Sequence, residues 1–220
     1  MQLFDIIGPV MIGPSSSHTA GAARLARVAR QIAGEFTRVS FGLHGSFAKT
    51  GWGHGTDRAL VAGLLGLAPD DARLPDSFAL ARQAGMVFSL GTVELRNAHP
   101  NTACLALQRR DGRTLSLEAA SIGGGRIRVT RIDGVAVNFG ADANTLIVHN
   151  EDTPGHIAGV TTAVARRGIN IASMQVFRAA PGGWAVMVLE CDQHIPDGLA
   201  DQLAAVPGIR RVTRLNVTTN

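Results

Sequence analysis

Between Gly13 and Gly21 the chain reads Gly-Pro-Ser-Ser-Ser-His-Thr-Ala-Gly, with three serines, a histidine and a threonine in front of an apolar stretch. One serine is enough to cap a helix, so the surplus of hydroxyls calls for another use. The free N–H groups of a helix start attract an anion, and the hydroxyls of Ser15, Ser16, Ser17 and Thr19 can add donors around it. A carboxylate suits such a cradle, with His18 at hand to move a proton.

A second concentration runs from His44 through Gly-Ser-Phe-Ala-Lys-Thr-Gly-Trp-Gly-His-Gly-Thr to Asp57. It carries His44, His54 and Lys49, the only lysine in the chain, with hydroxyls at Ser46, Thr50 and Thr56. The glycines between them let backbone approach a ligand closely. No Gly-Lys-Ser or Gly-Lys-Thr tripeptide occurs, and no dinucleotide fingerprint sits in a βαβ unit, so phosphate binding has no support. Proton transfer has candidates in His18 and His54, and a desolvated Lys49 is a competing base. Asp57 either caps the helix that follows or orients His54. Two further segments are weak when taken singly: His99-Pro100-Asn101-Thr102, a polar turn feeding a strand, and Ser121-Ile122-Gly123-Gly124-Gly125, between two strands.

The elements that must position these segments fall into two domains, residues 1–140 and 145–220, joined through the small, polar stretch 138–144. In the first, Ser17 or a neighbour caps a helix to about Ile32, with Leu25, Val28, Ala29 and Ile32 on one face. A strand over Val39–Leu43 precedes a loop from His44 to Thr56, then a helix from Asp57 to about Leu67 and another near Ser77–Ala84. Strands are expected at Thr102–Arg109, Thr114–Ala120 and Arg126–Ile132, giving an α+β domain. The second domain reads strand Thr145–His149, a helix with Ile157, Val160, Thr161 and Val164 on one face, and a hairpin of Ile169–Phe177 with Trp184–Glu190. A helix through Leu199, Leu203 and Val206 and a strand over Ile209–Val217 complete a βαββαβ order. That order folds as a ferredoxin-like antiparallel sheet with both helices on one face. Trp184–Leu189 is nearly all apolar, so its other face also needs a cover.

Composition narrows the class. The chain has 220 residues, 45% of them hydrophobic and 17% charged, with no run of roughly 18 apolar residues able to span a bilayer. The start, which carries Asp5 and lacks a basic leader, does not read as a signal peptide, so a cytoplasmic location is expected. The net charge of +4 comes from scattered arginines, and there are no tyrosines, so nucleic-acid binding is not expected. Cys104 and Cys191 are far apart and lack metal or redox spacing, so both read as structural thiols.

Taken in order, Gly13–Thr19, Gly45–Thr50, Gly53–Asp57, His99–Asn101 and Ser121–Gly125 resemble the iron-sulfur L-serine dehydratases over essentially the whole chain. The Gly-Ser-Phe-Ala-Lys-Thr spelling and the attached second domain are similar to the β subunit of the two-chain form. The resemblance implies conversion of L-serine to pyruvate and ammonia by an assembly with a separate α subunit. In it a 4Fe-4S cluster acts as a Lewis acid on the departing hydroxyl. A cluster takes several thiolates, and this chain has two, so ligation is expected from the α partner and no metal site here. The implied catalytic candidates are His18, His54 and Lys49. The implied substrate contacts are Ser15, Ser16, Ser17, Thr19, Ser46, Thr50, Thr56, Asp57, His99, Asn101, Gly123 and Gly124.

The run from His149 to Ala158, with the βαββαβ order, resembles an ACT domain. This implies an amino-acid effector held near His149, Asn150, Gly155, His156 and Ile157, and a homodimer through that domain, which the fold can also form without a ligand. A different reading is a non-catalytic amino-acid-binding regulatory module, since the first domain is also similar to the allosteric substrate-binding domain of some phosphoglycerate dehydrogenases. Such a module needs an anion pocket but not the His44, Lys49 and His54 loop.

Overall fold

Leu25, Val28, Ala29 and Ile32 recur at helical spacing, and in the computed structural model, which describes residues 9–217, all four are buried on α1 (Ala22–Ala33). The turn before it, Ser16–Gly21, is wound as a π-helical turn, and its cap is Ser15, whose side chain accepts from the His18 N–H. Of Ser17 and its neighbours, the expected caps, it is Ser15 that takes the role. The chain divides into two compact units between Asp133 and Gly134.

In the first unit β1 (Phe36–Leu43) alternates buried Val39, Phe41 and Leu43 with more exposed neighbours, as a half-covered strand must. The segment expected to be a loop after it is instead helical. Gly45, at φ +58°, turns the chain, and α2 (Gly45–Thr50) follows with Phe47 fully buried. The glycines mask this short helix in the sequence, because its first amides are satisfied from outside: the N–H groups of Ser46 and Phe47 both reach the Pro100 carbonyl. Next come α3 (Thr56–Leu64), a 3₁₀ turn at Leu74–Asp76 and α4 (Ser77–Gln83). A side chain on Gly63 would collide with the Ala23 carbonyl, so α1 and α3 pack with their backbones close together.

The sheet contains a strand that periodicity does not reveal, β2 (Val87–Thr92), parallel to β1 and mostly exposed. Then follow β3 (Thr102–Arg109), β4 (Thr114–Gly123) and β5 (Arg126–Ile132), all antiparallel, in the order β2-β1-β3-β4-β5.

The second unit opens with β6 (Val135–Phe139), also unforeseen, followed by β7 (Asn144–Glu151), α5 (His156–Ala165), β8 (Ile171–Arg178), β9 (Trp184–Cys191), α6 (Asp197–Ala204) and β10 (Ile209–Leu215). The last six give the expected βαββαβ order, with the antiparallel strands arranged β10-β7-β9-β8. Leu146, Val148, Met187 and Leu189 form one core with Val160, Val164, Leu199 and Leu203 of the two helices. Ile147, Val186 and Val188, on the opposite face, are buried as well, which answers the continuous apolar run of β9. Ile157, expected on the buried helical face, is 48% exposed at the start of α5. Among the described residues no helix is long and apolar enough to cross a membrane.

Candidate active site

All the segments singled out for chemistry in the first half of the chain meet around the π-helical turn. Gly21 packs so tightly on the Ser121 side chain that no Cβ would fit, which brings the start of the Ser-Ile-Gly-Gly-Gly segment against the Ser-Ser-Ser-His-Thr turn. Gly123, Gly124 and Gly125 all have positive φ, and Gly125 lies beside Ala20 and Pro9. The His99–Asn101 turn is tied in twice: Pro100 receives the first amides of α2, and the Asn101 carbonyl accepts from the Ser121 N–H. His99 itself is exposed, and its Nδ1 accepts from the Asn101 N–H, so it shapes the turn.

The centre is a pair of imidazoles. His18 and His54 have ring centroids 4.9 Å apart, and the edge of His18 packs on Phe47 at 5.4 Å. His54 Nδ1 lies 2.9 Å from the Thr50 carbonyl, which can only accept. The Nδ1 therefore carries a proton, and a neutral His54 keeps its lone pair on Nε2. His18 is more enclosed: its Nε2 stands 3.0 Å from Ser46 Oγ and 3.1 Å from Thr50 Oγ1, and its Nδ1 a long 3.5 Å from Ser15 Oγ. Burial pushes the His18 pKa down and the neighbouring His54 pushes it the same way, with the Ser46 backbone partly opposing them. His18 therefore resists taking a positive charge beside His54.

The remaining candidates divide by what already occupies them. Thr19 is buried and its hydroxyl donates to the His54 carbonyl at 3.1 Å, so it braces the histidine loop and is not free to hold an anion. Ser15 is committed to the cap. Ser16 and Ser17 are half-buried, and their hydroxyls make no hydrogen bond among the described residues, which leaves them for a ligand. Lys49 is exposed, so this chain alone does not supply the burial a lysine base requires. Asp57 neither caps α3 nor holds His54, since Gly55 occupies the cap and the Thr50 carbonyl takes the imidazole. Its side chain is nonetheless buried, and Oδ1, like the hydroxyls of Thr56 and Ser121, has no hydrogen-bond partner among the described residues. His44 is structural, accepting from the Leu95 N–H beyond β2.

A site of two imidazoles and spare serine hydroxyls, with the buried Asp57 in the first turn of the adjoining α3, is equipped to bind a small carboxylate and move a proton. The beta chain of a probable L-serine dehydratase from Bacillus subtilis is 42% identical over 97% of both chains. This chain belongs to the L-serine dehydratase beta-chain family. A serine dehydratase beta chain family model matches residues 2–84 and an ACT domain model residues 144–208. The L-serine dehydratase beta chain of Peptoniphilus asaccharolyticus is 38% identical over 96% of this chain and 94% of its own. A D-3-phosphoglycerate dehydrogenase of Methanocaldococcus jannaschii is 36% identical, over only 40% of this chain and 17% of its own. The dehydratase resemblance thus extends over the site, whereas the match to this phosphoglycerate dehydrogenase is partial.

Membership of a dehydratase family raises the question of a cluster. Cys104 is half-buried in β3 of the first unit and Cys191 is buried in β9 of the second. Burial raises both thiol pKa values, which disfavours thiolates. Among the described residues no group of three or more His, Cys, Asp and Glu side chains could hold a metal. The thiols of this beta chain do not fit a 4Fe-4S cluster.

In the ACT unit the residues expected around an effector are split between the two faces of the sheet. Asn150 shares the helix-covered face with Leu146 and Val148, and it is buried with its Nδ2 donating to the Glu151 carbonyl and its Oδ1 unpartnered. Gly155, at φ +100°, begins α5. His156 is tied between Thr153 and the Pro207 carbonyl, and a side chain on Gly208 would strike its ring. A groove of about 470 Å³ lined by Gly155, His156, Ala163, Arg166, Leu203 and Val206 lies between the two helices.

His149 faces the other way. It is 8% exposed, and an Arg211 N–H donates to its Nε2 at 2.8 Å. Burial first, and then the charges of Arg211 and Arg210, push its pKa down to about 3. The unfolded chain, near 6.5, binds a proton that the folded one refuses, so stability falls as pH drops from about 6.5 toward 3. Replacing His149 with Gln removes this term. Between pH 7 and 4.5 the variant should lose about 2–3 kcal/mol less unfolding free energy than the parent in urea titrations. Equal losses would mean that His149 is not the group responsible.

Proposed function

We propose that this chain is the substrate-holding and proton-moving half of a two-chain L-serine dehydratase that converts L-serine to pyruvate and ammonia. The observation that carries this reading is the His18–His54 pair, one imidazole enclosed in hydrogen bonds and the other with its Nε2 lone pair uncommitted. The Ser16 and Ser17 hydroxyls, with the amides of the turn they begin, receive the substrate carboxylate. Asp57, a buried carboxylate with one oxygen unpartnered, favours the substrate ammonium nearby. His54 Nε2 takes the Cα proton, and the β-hydroxyl leaves as water with a proton from solvent, to which His54 returns the one it took. The remaining aminoacrylate tautomerises to an imine, and water hydrolyses it to pyruvate and ammonia. Ligation of the 4Fe-4S cluster belongs to the α partner, and this chain alone is inactive.

The direct test is anaerobic co-expression with a cluster-bearing α chain and an assay of pyruvate from serine. A cluster-loaded complex that makes none would overturn the proposal. The partner must close over the His54 side of the site, and Trp52, two residues away and 65% exposed, suits an anchor in that contact. Trp52→Ala should raise the dissociation constant for the α chain about 10- to 100-fold without changing the melting temperature. Unchanged binding by calorimetry would remove Trp52 from the interface.

For the second unit the reading is effector binding at the Asn150–Ile157 turn of a dimer, supported by the unpartnered Asn150 oxygen, a natural acceptor for an ammonium group. Titration of the dimeric full chain with L-serine tests it. No heat beyond binding at the first unit would leave the ACT unit with dimerisation alone.

A further inference from the structure

Thr50 touches both histidines, through different atoms. Its carbonyl accepts the His54 Nδ1 proton at 2.9 Å, and its hydroxyl lies 3.1 Å from His18 Nε2. The shortest contact of Thr50 Oγ1, 2.9 Å, is to the Ser46 carbonyl one turn back, and since a carbonyl can only accept, the hydroxyl proton is assigned there. Thr50 Oγ1 can therefore only accept from its remaining neighbours, His18 Nε2 and Ser46 Oγ, the latter 3.2 Å away. With the Ser46 hydroxyl donating to Thr50 Oγ1, a lone pair on His18 Nε2 would face lone pairs on both oxygens, Ser46 Oγ at 3.0 Å and Thr50 Oγ1 at 3.1 Å. A proton on Nε2 satisfies the contact and leaves Nδ1 to accept from the Ser15 hydroxyl.

We infer that Thr50 is a positioning residue that sets the tautomers of both imidazoles, holding His18 with its proton on Nε2 and His54 with its proton on Nδ1. The inference rests on the dehydratase reading only for its consequence in turnover, and the proton positions stand on geometry alone. In this arrangement His18 is a fixed donor within a closed network, and the one uncommitted basic nitrogen of the pair is His54 Nε2. Thr50 is thus a frame for the site and not one of its substrate contacts. A single residue can do this because the last turn of α2 presents its hydroxyl to one ring and its carbonyl to the other.

Because one contact is made by the side chain and the other by the backbone, substitution separates them. Thr50→Val removes the Thr50 acceptor for His18, leaving Ser46 Oγ free to accept or donate there, and leaves the carbonyl for His54. Thr50 is exposed, so the fold should tolerate the change, with a melting temperature within a few degrees of the parent. Imidazole ¹⁵N–¹H correlation spectra of the full chain read the tautomers without any partner. The parent should show single tautomers, Nε2–H at His18 and Nδ1–H at His54. In Thr50→Val the freed Ser46 hydroxyl can donate to His18 Nε2, so His18 should become a mixture while His54 keeps its pattern. Thr50→Ser should restore the parent spectrum. With the α chain, Thr50→Val should lower kcat about 3- to 10-fold with little change in KM, the scale of one lost hydrogen bond, and Thr50→Ser should recover it. An unchanged His18 tautomer in Thr50→Val, or a Thr50→Ser variant that behaves like Val, overturns the inference. Tautomers that shift as expected in a chain that never supports serine turnover overturn the dehydratase reading and leave the positioning role intact.

Discussion

Replacing His54 with Ala should lower kcat of the assembled dehydratase by about 10²–10⁴-fold, the range a positioned general base contributes, while substrate binding changes far less. The expectation follows from which nitrogen is free. The Thr50 carbonyl holds the His54 proton on Nδ1, so the proposed base is Nε2, whereas His18 Nε2 faces two hydroxyls and His18 Nδ1 has only the long contact with Ser15 Oγ. His18→Ala should behave differently. It removes the ring that packs on Phe47 and fills the space between Ser46 and Thr50, so loss of site geometry should appear in KM as well as kcat. Steady-state kinetics of the complex, with cluster content verified in each variant, makes the comparison. A His54→Ala complex with full turnover would exclude it from proton transfer, and Lys49, exposed here and open to burial by a partner, would become the next candidate.

Gly45→Ala should cost about 2–5 kcal/mol of stability and abolish most turnover. Two penalties add at this position. Gly45 lies at φ +58°, where a side chain strains the backbone by about 1–2 kcal/mol. Its Cβ would also come within 2.6 Å of the Pro100 carbonyl oxygen and 2.8 Å of its Cα, and overpacking against backbone costs about 1–3 kcal/mol. That carbonyl accepts from the first amides of α2, so the helix bearing Ser46 and Thr50 must shift if the collision is relieved. Gly85→Ala is the control: its φ of +70° carries the same strain, but no atom lies within 4 Å, so about 1 kcal/mol should suffice. Urea denaturation of both variants separates the strain from the collision. Equal losses would show that Pro100 yields without cost.

Several elements are legible in the sequence. The apolar spacing of Leu25, Val28, Ala29 and Ile32 encodes α1, and the βαββαβ order of the second unit follows from alternating strand and helix patterns. Both signals are local, and burial of a periodic face is what produces them. The strands β2 and β6 carry a weaker signal, because neither is long and β2 is mostly exposed, so it shows little apolar alternation. The helix α2 was hidden by its glycines and by a cap supplied from Pro100, far along the chain.

The site was legible as a membership list but not as a set of roles. Five ordered segments are a linear signal, and they pointed to the dehydratase family before their contacts were known. The chain's own residues also determined that two distant cysteines are too few for a cluster. Which serine caps, which hydroxyl braces and which imidazole nitrogen stays free are different questions. The cap and the His54 tautomer rest on local bonds, Ser15 to the His18 N–H and His54 Nδ1 to the Thr50 carbonyl. The brace and the His18 contacts instead join residues 28 to 35 positions apart, such as His18 to Ser46 and Thr19 to the His54 carbonyl. A proton's position is set by whether the atom facing it can donate or only accept. Only the folded chain brings the Thr50 carbonyl and hydroxyl to the two rings and decides it.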